Sequence, residues 1–215
     1  MNSSEREQAM QLFVGLGNPE QKHAGHRHNI GFMLIDRLAS DYGFAPFREK
    51  YHGLLAEGQI GNQKVLLLKP QTFMNRSGIS LAEAAGFFKL TGEQIVVFYD
   101  ELDLPPGKLR MRDVSNGSMA GHNGLRSIKA HWGTAFRRAR LGIGHPGHKT
   151  RVTGHVLGDF SKQDALWLAP FLTALSRHAP LLCDGADATY QNRVHEDMRA
   201  ALPEADKPSS TEETQ

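Results

Sequence analysis

The chain has 215 residues, 40% apolar and 22% charged, with a net charge of +2, which is room for one well-packed domain with the ordinary balance of a globular protein. No apolar run reaches bilayer-spanning length, the polar first ten residues lack a signal-peptide core, and the lone cysteine, Cys183, excludes an internal disulfide and a thiolate metal cluster. A cytoplasmic, monomeric protein is expected, in which the Asn-x-Ser triplets at Asn75 and Asn116 carry no glycan.

In chain order, residues 1–10 read as a flexible segment. Gln11 to Leu16 is a short apolar strand ended by Gly15, Gly17 and Pro19. His28 to Tyr42 carries Ile30, Phe32, Met33, Ile35 and Leu38 largely on one helical face and closes at Gly43. Tyr51 to Ile60 and Lys64 to Leu68 form two strands around a Gly61-Asn62 turn. Ser80 and Glu83 have capping-box spacing within a helix running to about Leu90. Ile95 to Tyr99 is a buried strand with Asp100 at its end, and Lys108 to Arg112 alternates like an edge strand. A helix from Asn123 to Trp132, a strand from Arg138 to Ile143, a long amphipathic helix from Ser161 as N-cap to Leu182, and a helix from Tyr190 to Leu202 follow. The polar, acidic tail 203–215 has the composition of a disordered segment.

Strands and helices alternate without repeats or a linker. This predicts a single α/β domain over 11–202, with three α/β/α layers around a twisted mixed sheet. Ligands of such sheets bind outside the carboxyl ends of strands, where Asn18, Asp100 and His145 fall. The charge is unevenly spread. Lys108 to Arg151 holds ten Lys or Arg and one acid, Asp113, whereas five bases face ten acids after Arg151. A basic segment interleaved with Trp132, Phe136 and histidines suits a phosphate backbone, against the plainer reading of a solvated face.

Several short motifs carry little chemistry. Gly15-Leu16-Gly17 invites a dinucleotide reading, but Glu20 holds the third-glycine position and would repel pyrophosphate. Gly142 to Gly147 fits the same pattern but is interrupted by Pro146 and reads as a turn. Gly117 to Gly121 lacks the spacing of a serine-nucleophile elbow. His23, His26 and His28 lie together in a turn without a carboxylate or cysteine ligand, so no metal or other cofactor is expected. Taken alone, His28 is an ordinary histidine and Asp100 an ordinary turn-capping aspartate.

Five blocks read together change this. They are Val14-Gly15-Leu16-Gly17-Asn18-Pro19; Arg27-His28-Asn29-Ile30-Gly31-Phe32; Lys69 to Gly78 (KPQTFMNRSG); Asp100 to Gly107 (DELDLPPG); and Gly121-His122-Asn123-Gly124-Leu125, with Arg140 to Pro146 (RLGIGHP) downstream. In this order they resemble the bacterial peptidyl-tRNA hydrolase family, from Leu12 to about Arg199. The resemblance implies hydrolysis of the ester between a peptide and the 3′ end of tRNA, with peptidyl-tRNA as partner. It implies that His28 is the catalytic base and Asp100 its carboxylate, with Asn18, Asn75 and Asn123 lining the cleft. His23 and Phe73 fall beside the substrate, and Arg110, Arg112, Arg140 and Lys149 against tRNA phosphates.

The chemistry is coherent on its own terms. Histidine is a base near neutral pH, a carboxylate behind it fixes the tautomer and stabilises the imidazolium, and asparagine amides offer hydrogen bonds without charge. Two positions depart from the family pattern. Glu20 stands where glycine is usual and His23 where tyrosine is usual, and the stretch Asp113 to Ala120 lacks a glycine run. A non-catalytic RNA-binding protein on the same scaffold, like a splicing cofactor, is the alternative reading.

Overall fold

The computed structural model describes residues 10–114 and 121–202. The expected flexible start (1–9), positions 115–120 of the divergent loop, and the tail from 203 to 215 lie outside the described residues. The elements run β1 (Gln11–Gly15), α1 (Ile30–Asp41), β2 (Arg48–Lys50), β3 (Gly53–Ile60), β4 (Gln63–Pro70), α2 (Ser77–Phe87), β5 (Ile95–Glu101), β6 (Leu109–Arg112), α3 (Asn123–His131), β7 (Arg137–Gly142), α4 (Val152–Val156), α5 (Ala165–Arg177), α6 (Pro180–Cys183) and α7 (Asp187–Ala201).

The strands form one mixed sheet in the order β2-β3-β4-β1-β5-β7-β6. Its centre, β4-β1-β5-β7, is parallel, and antiparallel partners β3 and β6 flank it. The central strands read as unbroken apolar runs because both their faces are covered. Leu12, Val14, Leu66, Leu68 and Val97 pack with Leu81 of α2 and Leu125 and Ile128 of α3. Phe13, Leu67, Val96 and Phe98 pack with Ile30 and Leu34 of α1, Phe171 of α5 and Val194 of α7. These are the three expected layers.

From β1 the chain travels out to β4 on one side and returns to β5 on the other, so the strand order reverses at β1. The crevice at such a reversal is where a ligand of this fold class binds. The glycines of the first block serve packing rather than phosphate. A Cβ on Gly15 would lie 2.3 Å from Gly31 O, and one on Gly17 would strike the Phe32 ring at 2.6 Å. They let the first turn of α1 press against the end of β1.

Some sequence expectations need correction. The helix predicted from His28 begins as a 3-10 turn, Arg27–Asn29, and becomes α-helical at Ile30. Ser80 is not a cap: it is buried within α2, which starts at Ser77 behind a 3-10 turn, while Glu83 pairs with His52 at 3.3 Å. The helix predicted from Ser161 to Leu182 is two helices. Ser161 and Asp164 exchange hydrogen bonds in a turn before α5, and Pro180 opens α6, because proline cannot donate to the preceding turn. The edge strand β6 is covered rather than bare, since Leu109 N and Met111 N donate to His195 Nε2 (3.2 Å) and Gln191 Oε1 (2.9 Å), one turn apart on α7. Among the described residues no helix is long and apolar enough to cross a membrane.

Candidate active site

Asp100 stands near the end of β5 and is buried, with 4% of its surface exposed. One of its oxygens, Oδ1, is reached from both faces of the sheet. His28, in the 3-10 turn before α1, meets it through Nδ1 at 2.7 Å, and His122, immediately before α3, through Nε2 at 3.1 Å. The two imidazole rings lie 5.0 Å apart. His122 Nδ1 accepts a long bond from Leu125 N (3.4 Å), which leaves its proton on Nε2, directed at Asp100. His28 correspondingly carries its proton on Nδ1 and keeps Nε2 as the lone-pair nitrogen.

The electrostatics follow. Burial opposes a charge on Asp100, but the two histidines outweigh it and hold the carboxyl well below its usual range. Burial likewise pulls the His28 pKa down, yet the charge and hydrogen bond of Asp100 prevail and raise it above the usual 6.5. Nδ1 of His28, Nε2 of His122 and a carboxylate oxygen of Asp100 lie within 4.8 Å of one another and could hold a metal ion. Their separations of 2.7 and 3.1 Å are those of hydrogen bonds, which already use these nitrogens.

His28, Asp100 and His122 line a cleft of about 880 Å³. Asn123, Arg112 and Arg140 also line it, and Val152, Val156 and Leu157 form an apolar stretch of its wall. Asn18, Asn75, Phe73 and Arg110 are not among the residues lining it, but Asn18 is tied to Asn29, the neighbour of His28. Asn18 N donates to Asn29 Oδ1 (2.9 Å), and Asn29 Nδ2 donates to Asn18 O (3.0 Å). Asn18 Oδ1 accepts from Met74 N at 2.9 Å, so the amide hydrogens on Nδ2 are the ones left to offer. Asn123 Oδ1 accepts from Arg126 and leaves its amide hydrogens in the same way. Asn75 is exposed in the turn that begins at Met74, and Phe73 beside it is 55% exposed. A Cβ on Gly124 would touch Met74 Sδ at 2.7 Å and His122 Cε1 at 3.1 Å, so this turn packs against the start of α3.

The basic residues divide. In the β6–β7 ladder Arg110 opposes Arg140 and Arg112 opposes Arg138, so four arginines share one face of the sheet, Arg110 and Arg112 exposed and Arg138 buried. Arg140 is partly spent, its Nε donating to Glu101 Oε2 at 2.7 Å. Lys149 is exposed in the turn before α4 and is not among the residues lining the cleft. His23 is half-buried, packs edge-on against His26 at 4.7 Å and does not line the cleft either. The sequence reading passed over His122 and Asn29, although both stand inside the quoted blocks, adjacent to Asn123 and His28.

Comparison with known proteins identifies the family. The model of the family described as peptidyl-tRNA hydrolase matches residues 12–201. The chain is 56% identical over 191 residues to a peptidyl-tRNA hydrolase of Bradyrhizobium diazoefficiens, covering 89% of this chain and 94% of that one. It is 52% identical over 205 residues to one from Parvibaculum lavamentivorans, covering 95% and 98%. The crystal structure of peptidyl-tRNA hydrolase from Acinetobacter baumannii matches with a TM-score of 0.80 at 40% identity, covering 86% of this chain and 94% of that chain. A chain with these blocks, this sheet and these relatives belongs to the peptidyl-tRNA hydrolase family.

Proposed function

We propose that this chain hydrolyses peptidyl-tRNA by direct attack of water on the ester carbonyl, with His28 as the base. The observation that carries the proposal is the 2.7 Å bond from His28 Nδ1 to a buried Asp100 at the wall of an open cleft. That bond fixes the tautomer whose Nε2 can take a proton from water as the water oxygen bonds to the carbonyl carbon. The imidazolium, stabilised by the carboxylate it faces, then returns that proton to the ribose oxygen of tRNA as the ester C–O bond breaks. The amide hydrogens of Asn18 and Asn123 are suited to the oxyanion developing on the carbonyl oxygen, since their own oxygens are already engaged. Asn75 and Phe73, exposed on the neighbouring turn, are suited to the peptide or the terminal nucleotide.

The arginine face supports the tRNA part of the reading. Arg138 is buried and Arg140 is held by Glu101, so the exposed Arg110 and Arg112 are the cations on this face that a polyanion would meet first. Phosphate contacts there would position the acceptor end without reading its sequence.

The test is release of an N-blocked aminoacyl group from tRNA by purified protein, wild type against His28→Ala, with and without chelator. The expected result is turnover by wild type that survives chelation and is lost in the variant. Binding of tRNA by wild type without release would favour the RNA-binding alternative instead, and loss of turnover in chelator would point to a metal.

A further inference from the structure

We propose that Arg27 is a positioning residue that fixes the α4 wall of the cleft relative to His28, and that its loss is felt in substrate binding rather than in proton transfer. The inference rests on the cleft being the place where peptidyl-tRNA is hydrolysed. It begins from a weakness in the fold. Val152, Thr153 and Val156 of α4, with Leu157 just after it, face the cleft, yet α4 is only five residues long and none of its residues is buried. A helix this short has no stability of its own, and its apolar anchoring is slight: within α4 only Val156, partly buried, packs against the core. Polar ties therefore carry much of the work of holding the wall in place.

Most of them converge on one side chain. Arg27 Nη1 donates to Asp159 O at 2.9 Å and, more weakly, to His155 O and Gly158 O at 3.4 Å, which gather the backbone at and after the end of α4. Its Nη2 donates to Asp164 Oδ2 at 2.6 Å, and the guanidinium lies over the Phe160 ring at 5.5 Å. The backbones are also stitched. Arg27 N donates to Gly158 O and Phe160 N to Gly25 O, both at 3.0 Å. A second tie, His155 Nε2 to Ile143 O at 3.3 Å, joins α4 to the end of β7. Arg27 is one peptide bond from His28, so the wall and the base share an anchor. Arginine suits the task because a planar fork of donors can serve several acceptors at once, which a lysine ammonium on a flexible stem does poorly.

The His28–Asp100 bond does not pass through this anchor. Loosening the wall therefore removes contacts that the substrate makes equally in its ground and transition states, and such a loss raises KM while sparing kcat. A residue serving only to hold the fold together would instead lower Tm and the active fraction at unchanged KM.

The experiment measures kcat, KM and the pH profile for N-blocked aminoacyl-tRNA with wild type, Arg27→Gln, Arg27→Lys and Asp164→Asn, together with amide hydrogen exchange in the intact protein. Turnover by wild type that disappears in His28→Ala establishes the cleft's function separately, whatever Arg27 does. In Arg27→Gln the expectation is a KM raised about tenfold with kcat within about threefold and an unmoved pH midpoint, partly restored in Arg27→Lys. Exchange at Leu157 and Gly158 should quicken while the central strands stay protected. An unchanged KM in Arg27→Gln overturns the proposal, and so does a fall confined to kcat with a shifted pH midpoint. Should Arg27→Gln not fold, Asp164→Asn is read beside Ser161→Ala, which disturbs the same turn but keeps the Arg27 ion pair: a KM raised in Asp164→Asn and not in Ser161→Ala supports the assignment, and a wild-type KM in Asp164→Asn, or an equal rise in both, overturns it.

Discussion

Replacing Asp100 by asparagine leaves the size of the side chain and removes its charge. In the structure that charge sits 2.7 Å from His28 Nδ1 and 3.1 Å from His122 Nε2, with 4% of the residue exposed. A unit charge pair at about 4 Å and an effective dielectric near 20 interacts by about 4 kcal/mol, or roughly three pH units on the partner's titration. The His28 pKa, now above 6.5 because Asp100 outweighs burial, should fall below 6.5 once burial acts alone. A base must be neutral to work, so the acid limb of kcat/KM lies above pH 6.5 in wild type and below it in Asp100→Asn. The plateau should drop by about 10² to 10⁴, because the imidazolium loses its counter-charge and the amide can present a donor where an acceptor is needed. Stability moves as well. His28, with a raised pKa, contributes stability that is full below 6.5 and lost as pH rises through its folded value. Asp100, with a depressed one, contributes stability present above 3.8 and lost as pH falls through its folded value. The assay is a pH series of single-substrate kinetics on both proteins. A limb that stays in place, or a plateau reduced less than tenfold, would show that the carboxylate is not what governs His28.

Three further outcomes follow from the geometry. If about three of the arginine-face cations contact phosphate, log K should fall with log salt with a slope of about −2.7, so going from 50 to 200 mM weakens tRNA affinity about 40-fold; a flat response in a filter-binding titration removes the arginine face from the tRNA site. In Gly31→Ala the new Cβ would lie 2.5 Å from Leu16 N and from Phe98 O, backbone atoms that cannot step aside. Unfolding in urea should show a loss of about 2 to 3 kcal/mol, and a neutral result would mean the first turn of α1 is not pressed on the sheet as described. Glu20 adopts φ 78° and ψ 132°, a conformation open to glycine and strained for other residues, at the position where the family pattern has glycine. Glu20→Gly should therefore raise Tm by about 2 to 4 °C in a thermal melt despite losing the exposed Lys22 contact, and a lowered Tm would deny the strain.

The layers and most elements were legible because they rest on local chemistry. The apolar runs of β1, β4 and β5 and the alternation in β6 follow from which faces are covered. Failures came where tertiary contacts override local signals. Ser80 has the spacing of a cap but is buried, because an unanticipated 3-10 turn starts the helix earlier. Pro180 opens a separate helix, which an amphipathic pattern running from Ser161 to Leu182 does not reveal. At the site, His28 and Asp100 could be named from their blocks, but no spacing reveals that His122 arrives from the opposite face to meet the same oxygen. Nor does sequence show that Arg140 is engaged by Glu101, or that Arg27 ties down a wall 128 to 137 positions away.

The shared oxygen of Asp100 sets two demands against each other, and His122 mediates between them. A carboxylate bonded to His28 alone would fix its tautomer but also raise its pKa strongly, leaving little neutral base near pH 7. His122, whose Nδ1 accepts from Leu125 N, donates its Nε2 proton to Asp100 and draws negative charge away from His28. Removing that donor should therefore act opposite in sign to removing the carboxylate. In His122→Leu, which keeps the space filled, the acid limb of kcat/KM should move to higher pH, with activity at pH 6.5 falling more than the plateau above it. A limb that moved to lower pH would mean that His122 helps hold the proton on His28, and the balance between the two imidazoles would have to be reversed.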